Sequence, residues 1–273
     1  MPLDQTGLPP LQAINHEILL IDENKTYPWQ AVHVPKKFRD QWIEKRDAYL
    51  KTSRWKHTTS TNAVPIMFIP KPKNPTKLQI VVDLRARNDN TKKMASPLLD
   101  IQAILNKVAA HKYRTMMDLD GAYEQLRVHS NHVDQTTVTT PDRNLVSLVV
   151  QQGDCHTPAF FQALMNHIFS SYIGHFMYVY LDDIVMFSNS LAEHMRHVKL
   201  IIDILKQEKL YLSKPKLQIL APEIDILGHI VDENGIKMDP NKVDSIANWK
   251  PPMSRELLHR FLGAYGYLAD NVD

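Results

Sequence analysis

Two adjacent aspartates, Asp182 and Asp183, lie in the middle of the apolar run FMYVYLDDIVMF, residues 176–187. Ionised carboxylates held away from water without a partner are strongly destabilised, so this pair requires a positive charge beside it. A third carboxylate, Asp118, follows another short apolar segment in RTMMDLDGAYEQLRV. Carboxylate oxygens suit Mg²⁺, and two such ions can stabilise the attacking and leaving oxygens of an in-line displacement. The three aspartates are therefore candidate metal ligands.

Each aspartate also has a structural interpretation, which the residues alone leave open. An aspartate pair at a turn is commonly solvated, and Asp118 could cap a turn through its side chain. The segment DLDG does not continue as a calcium-binding EF-hand loop, because Ala122 and Tyr123 occupy its fifth and sixth positions. The Asp-Ser/Thr-Gly signature of aspartic proteases is absent from the sequence.

Histidine and cysteine offer weaker candidates for a functional site. His194 and His197 have the i, i+3 spacing of one helix face, but no further ligating residues accompany them, and we interpret both as surface residues. Cys155 is the only cysteine, which excludes an internal disulfide and a multi-cysteine zinc site. We interpret it as a structural thiol in a reducing, intracellular setting.

The strands that position the aspartates can be predicted from the apolar pattern. The run 176–187 is too short for a helix with two aspartates at its centre, and it predicts strand, tight turn and strand with the aspartates at the turn. A strand around 114–119 leads to Asp118. The other predicted strands are 64–70, 78–84 and 145–150.

Capping residues predict where the helices begin. Thr157 is the predicted cap of a helix that has Pro158 in its first turn. Ser190 and Glu193 have the spacing of a capping box for a second helix. Apolar residues at i, i+3, i+4 and i+7 predict a third helix over 101–110.

The C-terminal third combines a hairpin with helices. Asn234-Gly235 between two apolar segments predicts a hairpin turn, and two last helices are predicted to start at Asp239-Pro240 and Ser254. Because strands and helices interleave while hairpins are present, the sequence predicts an α+β fold rather than a doubly wound one.

The composition is that of an ordinary globular protein. The 273 residues are 44% hydrophobic and 23% charged, and no apolar run approaches the length of a membrane span. The N-terminus lacks the layout of a secretory signal, so we expect an intracellular protein, cytoplasmic or nuclear, without a membrane partner. Residues 36–56 hold eight Lys/Arg against three acids, and residues 65–93 hold seven against two. Such a basic surface could follow a phosphate backbone, and a solvated charged face is the alternative.

Several segments, taken in order, resemble the motifs of reverse transcriptases. Tyr180-Leu-Asp-Asp183 resembles their Y-x-D-D element, and Asp118 with Tyr123 five residues later resembles their first catalytic motif. The segment QGDCHTPAFFQ, 152–162, resembles Q-G-x-x-x-x-P-A-x-F-Q, and VVDLRARN, 81–88, resembles the fingers motif V-x-D-x-R-x-x-N. ILGHIV and GIKMDPNKVDSIANW are similar to the primer-grip hairpin and the start of the thumb. Residues 8–56 are similar to the lead-in of Pol polyproteins of gypsy-class LTR retrotransposons.

The resemblance implies a right-hand polymerase with palm, fingers and thumb, whose antiparallel palm sheet is backed by helices. It implies an N-terminal lead-in over 1–59, fingers and palm over 60–235, and a thumb-like helical segment over 236–273. The implied activity is RNA-directed DNA polymerisation, in which an RNA or DNA template with a primer is copied from dNTPs. The implied cofactor is Mg²⁺, with Mn²⁺ as a possible substitute, and the oligomeric state stays open.

The resemblance also assigns roles to individual residues. Asp118 and Asp182 would hold both metal ions, and Asp183 would be more peripheral. Tyr123 would lie under the deoxyribose and exclude a 2′-hydroxyl by steric clash. The remaining implied substrate-binding residues border the nucleotide or approach its phosphates, and they are Gln152, Gly153, Lys71, Lys73 and Arg85.

Two departures from the family pattern favour a rival interpretation. Gln79 stands where the family usually carries a phosphate-binding Arg, and His156 and Thr157 stand where small or amide residues are usual. The chain also ends at Asp273, directly after the thumb-like helix, so we expect a polymerase fragment or a decayed or repurposed copy. The rival to an active polymerase is a catalytically silent nucleic-acid-binding remnant. A metal-dependent phosphohydrolase would share the carboxylates, but it would not explain the ordered motifs.

Overall fold

The protein is described by a computed structural model that covers residues 6–72, 74–94, 100–238, 240, 244 and 248–269. Lys73 and most of the helix predicted from Asp239-Pro240 lie outside these residues. The chain divides into two compact units. Unit 1 comprises Met1–Pro97, Leu119–Ser171 and Asp203–Lys214, and unit 2 comprises Leu98–Asp118, Tyr172–Ile202 and Pro215–Asp273.

Helices and strands interleave along the chain, which confirms the predicted α+β class. The helices are α1 Arg39–Lys51, α2 Arg85–Asp89, α3 Ile101–Ala109, α4 Thr157–Ile168, α5 Leu191–Gln207 and α6 Arg255–Ala269. The strands are β1 Trp55–His57, β2 Val64–Lys71, β3 Asn74–Val82, β4 Tyr113–Asp118, β5 Val138–Thr139, β6 Asn144–Ser147, β7 Met177–Tyr180, β8 Asp183–Ser188, β9 Gln218–Ile219, β10 Ile224–Ile226, β11 His229–Asp232 and β12 Gly235–Met238. Among the described residues, no helix is both long enough and apolar enough to span a membrane.

Unit 1 contains a five-stranded sheet in the order β1-β6-β5-β2-β3. All neighbours are antiparallel except β2 and β5. Along β2, Val64 and Ile66 are buried while Met67 points outward, which is the alternation expected for a strand with one face on a core. That core also contains Phe38, Trp42, Trp55, Leu78 and Leu145. The two strands predicted at 64–70 and 78–84 are therefore present, and they form a hairpin.

The interior of unit 1 includes charged residues and N-terminal residues that were not predicted to be buried. His16 and Ile18 are buried, and His16 bridges to Val128, so part of the segment predicted as a lead-in belongs to the core. Arg54 and Arg87, which were counted in the basic surface, are also buried. The positive charge of this region is therefore shared between the surface and the interior.

Unit 2 contains a four-stranded sheet in the order β7-β8-β4-β9 and a three-stranded sheet in the order β10-β11-β12. Helix α3 begins where Asp100 accepts a hydrogen bond from the Ala103 amide at 3.0 Å. Its buried side chains pack with residues of β4, β8, β10 and β11, and the cluster is Ile104, Leu105, Val108, Met116, Val185, Phe187, Ile224, Ile226 and Val231. This apolar layer fixes β4 and β8 beside each other.

Three local predictions differ from the structure. The cap of α4 is His156, and Thr157 is already helical, because the turn Gln151–Asp154 brings the chain into the helix one residue earlier. In the last hairpin Asp232 pairs with Gly235, so the turn is Glu233-Asn234 and Gly235 begins β12. His194 is fully buried rather than at the surface, because its ring hydrogen-bonds to Thr115 and Ser188.

Candidate active site

The tip of the β7–β8 hairpin in unit 2 carries Asp182 and Asp183. Tyr180 pairs with Asp183, so Leu181 and Asp182 form a two-residue turn. The tight turn was predicted from the sequence, but Asp183, which was expected in it, is the first residue of β8. Leu181 has φ 54°, in the left-handed region that a branched side chain avoids, and such a residue costs about 1–3 kcal/mol. Strained residues of this kind persist only where their surroundings impose the conformation, and they cluster at functional sites.

The end of β4 brings the third aspartate to this tip. Strand β4 pairs with β8 in a register that sets Asp118 directly opposite Asp183. Met116 and Met117, the two residues before Asp118, are buried, so the apolar part of β4 anchors the strand and fixes where its carboxylate emerges. Two apolar strands that each end in a carboxylate therefore meet at one edge of the sheet.

The charge at this edge is predominantly negative. Lys216 Nζ lies 2.7 Å from Asp118 Oδ2, and this bond raises the pKa of Lys216. Burial, followed by the charges of Asp182 and Asp118, raises the pKa of Asp183 to about 6. One lysine thus faces three carboxylates, and a further cation would relieve the remaining repulsion.

An open cavity of about 430 Å³ lies beside these side chains. Its lining consists of Met116, Asp118, Asp183, Pro215, Lys216, Gln218 and Asp225. In the part of the chain that the structure describes, no three His, Cys, Asp or Glu side chains are arranged around one point as metal ligands would be. The donor chemistry nonetheless fits Mg²⁺, because hard carboxylate oxygens are in excess over positive charge at this edge.

Tyr123 lies in unit 1, in the 3-10 helix Ala122–Gln125. The preceding Gly121 has φ 58°, which a glycine adopts without strain and which turns the chain after β4. The Tyr123 ring meets Phe161 of α4 edge-on, with centroids 5.8 Å apart. This contact holds the ring in one orientation.

Gln152 and Gly153 lie in the loop of unit 1 that precedes α4. Gly153 has φ 101°, a conformation that other residues rarely adopt. Its carbonyl accepts a hydrogen bond of 2.9 Å from the Asn88 side chain of α2. Gln152 also lines a second, smaller cavity of about 70 Å³ together with Lys45, Tyr49 and Glu124.

Two further predicted substrate-binding residues, Lys71 and Arg85, lie on strand β2 and helix α2 of unit 1. Lys71 is exposed at the end of β2, and Lys73 is outside the described residues. Arg85 is 86% exposed, and Asp83 holds its guanidinium at 2.7 Å. Gln79, the departure from the family pattern, pairs with Ile69 across the β2–β3 hairpin.

The second departure has a structural explanation. His156 is buried, and its Nε2 accepts a hydrogen bond of 3.2 Å from the Met94 amide. His156 thus ties the loop before α4 to the chain that follows α2. The Thr157 hydroxyl, by contrast, is buried without a hydrogen-bond partner among the described residues.

Sequence reasoning missed two charged groups. Lys216 is 98 residues from Asp118, and the buried pair Arg87–Asp154 joins residues 67 apart. The positive charge required beside the aspartates was a signal for a residue such as Lys216, but nothing in the sequence indicated which lysine. For Arg87 and Asp154 there was no signal, because both occupy open positions of the motifs that contain them.

The chain matches known proteins over most of its length. Residues 69–231 match the family described as reverse transcriptase (RNA-dependent DNA polymerase). Over 259 residues the chain is 28% identical to the Tf2-3 and Tf2-7 transposon polyproteins of Schizosaccharomyces pombe (strain 972). These alignments cover 95% of this chain and 19% of each polyprotein, so the chain spans less than a quarter of those relatives.

Solved structures share the fold. A foamy viral protease–reverse transcriptase in complex with double-stranded DNA is 23% identical with a TM-score of 0.81, covering 97% of this chain and 46% of that one. The foamy viral enzyme in complex with an RNA/DNA hybrid is 23% identical with a TM-score of 0.78, covering 97% and 35%. The fold is therefore that of a right-hand polymerase, which confirms the predicted architecture. With its ordered motifs and its match over residues 69–231, this chain belongs to the reverse transcriptase family.

Proposed function

We propose that this chain is the reverse transcriptase domain of a gypsy-class LTR retrotransposon Pol polyprotein, and that it extends a primer on an RNA or DNA template. The observation that carries the proposal is the carboxylate edge in unit 2, where Asp118 and Asp183 face each other across two strands and Asp182 occupies the adjoining turn. In this proposal residues 1–59 are a lead-in, 60–235 form fingers and palm, and 236–273 begin the thumb. Because dNTPs are intracellular metabolites, the proposed setting is intracellular.

The reaction class is nucleotidyl transfer. The 3′-hydroxyl of the primer loses its proton to solvent, and its oxygen forms a bond to the α-phosphorus of a dNTP. The bond between the α-phosphorus and the bridging oxygen breaks, and pyrophosphate leaves with that oxygen. Two divalent ions, Mg²⁺ or Mn²⁺, would neutralise the charge that develops on the phosphate oxygens. Asp118 and Asp182 would hold both ions, with Asp183 more peripheral.

The nucleotide-binding roles fall to residues of unit 1. Tyr123 would exclude a 2′-hydroxyl, and the ring contact with Phe161 supports a fixed steric barrier. Gln152 and Gly153 would border the nucleotide, where the absence of a side chain at Gly153 permits close approach of the backbone. Lys71 and Lys73 would approach the phosphates. Arg85 would do so only after exchanging its contact with Asp83 for a phosphate.

The second candidate is a silent remnant that still binds nucleic acid, and Gln79 favours it. An arginine can make charge-assisted hydrogen bonds to a triphosphate, whereas a glutamine amide offers only neutral donors. This weakens nucleotide binding, but it removes no carboxylate from the candidate metal site.

The test is primer extension by the purified chain on a primed homopolymer RNA template, with Mg²⁺ and Mn²⁺ compared. We expect weak but measurable extension with at least one of the ions. Binding of the same template–primer duplex is measured in parallel by fluorescence anisotropy. A folded protein that binds the duplex but extends no primer with either ion would support the silent remnant instead.

A further inference from the structure

A buried ion pair joins α2 to the loop that carries Gln152 and Gly153. Arg87 Nη2 lies 2.9 Å from Asp154 Oδ2, and the two side chains are only 1% and 3% exposed. Burial lowers the pKa of Arg87, and the Asp154 carboxylate opposes that effect. Two charges removed from water in this way are costly unless each also finds hydrogen bonds.

Arg87 finds them in two other segments of unit 1. Its Nη1 donates to the side-chain oxygen of Gln151 at 2.8 Å and to the carbonyl of Gln135 at 3.0 Å. Gln151 in turn donates to the carbonyl of Thr136 at 2.9 Å. The planar guanidinium thus fixes the start of the loop in a set direction, which a flexible ammonium could not do.

The next residue of α2 holds the other side of the same loop. The Asn88 amide donates to the Gly153 carbonyl at 2.9 Å, and its oxygen accepts from the Cys155 amide at 3.2 Å. The backbone of Gly153 therefore lies between the contact of Arg87 with Gln151 and that of Asn88 with Cys155. The residues on either side of Gln152 are therefore both tied to α2.

Asp154 also contacts a third segment, which belongs to the N-terminal part of the chain. His16 Nε2 lies 3.1 Å from Asp154 Oδ1, which also accepts the His156 amide at 3.1 Å. Burial would raise the pKa of Asp154, but the neighbouring His16, Arg87 and the His156 amide outweigh it and lower this pKa to about 2. Asp154 is therefore an ionised hub of three segments within unit 1.

We propose that Arg87 and Asp154 are positioning residues for nucleotide binding, which fix the backbone at Gln152 and Gly153 in the geometry that accepts a dNTP. The proposal rests on the proposed polymerase function. Both residues occupy open positions of the two motifs, V-x-D-x-R-x-x-N and Q-G-x-x-x-x-P-A-x-F-Q. Apolar side chains of similar volume could replace a buried ion pair without loss of stability. The ion pair therefore serves to orient the loop backbone rather than to fill space.

The experiment compares four test variants and one control variant of the full chain with the parent. Arg87→Met and Asp154→Leu each leave one charge buried alone, and the double variant Arg87→Met/Asp154→Leu replaces the pair by apolar side chains. Arg87→Lys keeps the charge but loses the planar fork. Arg46→Met is the control, because it removes an ion pair with Asp142 in unit 1 that does not touch the loop.

Four quantities are measured for each variant: the urea midpoint of unfolding, amide hydrogen exchange over 152–156, and kcat and KM for a dNTP. We expect the single variants to lower the midpoint and the double variant to restore it. In the restored double variant, exchange over 152–156 and the dNTP KM should both rise about tenfold, with kcat changed less than twofold. Arg46→Met should match the parent in both readouts.

The double variant decides the proposal. If its exchange and its KM equal those of the parent while its stability is restored, the pair serves packing only and the proposal is wrong. If the double variant does not fold, Arg87→Lys decides by the same two readouts. Hydrogen exchange is measured without substrate. If the chain extends no primer, the proposed polymerase function is wrong, and the exchange rates over 152–156 still decide whether the ion pair fixes the loop.

Discussion

Two clusters of charge, one in each unit, differ in how their carboxylates are balanced. Around Asp154 in unit 1, one carboxylate faces Arg87, His16 and a backbone amide, and all of these groups are buried. At the tip of β7–β8 in unit 2, three carboxylates lie beside an open cavity, and Lys216 is the one cation that faces them in the described part of the chain. In the first cluster the carboxylate is balanced by positive charge within the protein, although Arg87 Nε and His16 Nδ1 have no hydrogen-bond partner among the described residues. The second cluster carries excess negative charge.

The difference separates a structural use of charge from the catalytic use that we propose for unit 2. A charge-balanced buried network can hold a loop in place and needs no external cation. A cluster with excess carboxylates would attract an external cation, and its carboxylates repel one another until that cation binds. Removing a carboxylate should therefore have opposite consequences for stability in the two units.

The largest expected effect is on catalysis in unit 2. Asp182→Asn should reduce primer extension by at least about a thousandfold, because loss of a metal ligand removes several kcal/mol of transition-state stabilisation. Single-turnover extension measures this. Asp225→Asn is the matched control, since Asp225 lines the same cavity outside the proposed ligand set, and it should extend normally. Extension by Asp182→Asn at the parent rate would exclude the proposed ligand role.

The next effect is on stability in unit 1. Arg87→Met should lower the free energy of unfolding by about 3–5 kcal/mol, because Asp154 stays buried without its partner. Urea denaturation measures the change. Arg260→Met, which removes an exposed i, i+4 pair with Glu256, should change the same quantity by less than about 0.5 kcal/mol. Equal losses in the two variants would contradict the distinction between a buried hub and a surface pair.

A smaller effect concerns the departure at Gln79. Gln79→Arg should improve nucleotide use by about 5–30-fold, because a charge-assisted hydrogen bond to a triphosphate exceeds a neutral one by about 1–2 kcal/mol. The comparison of kcat/KM for a dNTP in the two proteins measures it. If neither protein extends a primer although both bind the duplex, the silent remnant is the correct interpretation.

The smallest effect completes the comparison. Asp183→Asn should raise the free energy of unfolding in metal-free buffer by about 0.2–1 kcal/mol, because it removes repulsion between directly opposed carboxylates. Denaturation in the presence of a chelator measures it. A loss of stability instead would show that Asp183 is satisfied within the protein, as Asp154 is.

The sequence predicted the frame of the candidate site because that frame depends on local pattern. Apolar runs that end in carboxylates predicted β4, β7, β8 and a tight turn at the two aspartates. The structure confirms the strands and the turn, but it places the turn at Leu181-Asp182, so Asp183 is the first residue of β8. Ser190 was also predicted correctly, since its hydroxyl accepts from the Glu193 amide at the start of α5. These features require only the order of neighbouring residues.

Features that depend on distant partners could not be predicted in this way. His194 was expected at the surface, yet Thr115 and Ser188, on two other strands, give it hydrogen bonds that make burial tolerable. Arg87 was counted as surface charge for the same reason, since its partner Asp154 is far away in sequence. Whether a polar residue is buried or exposed depends on the hydrogen-bond partners that the fold brings to it from distant parts of the chain.

Cys155 gives the loop before α4, which carries Gln152 and Gly153, a natural attachment point for a spectroscopic probe. It is the only cysteine of the chain, its side chain is exposed, and its amide is held by Asn88 beside Gly153. Partial burial and the Asp154 carboxylate raise the pKa of the thiol, so alkylation will proceed best in mildly alkaline buffer. A fluorophore there would show in real time how the loop responds to nucleotide, with no cysteine to remove elsewhere and none to introduce.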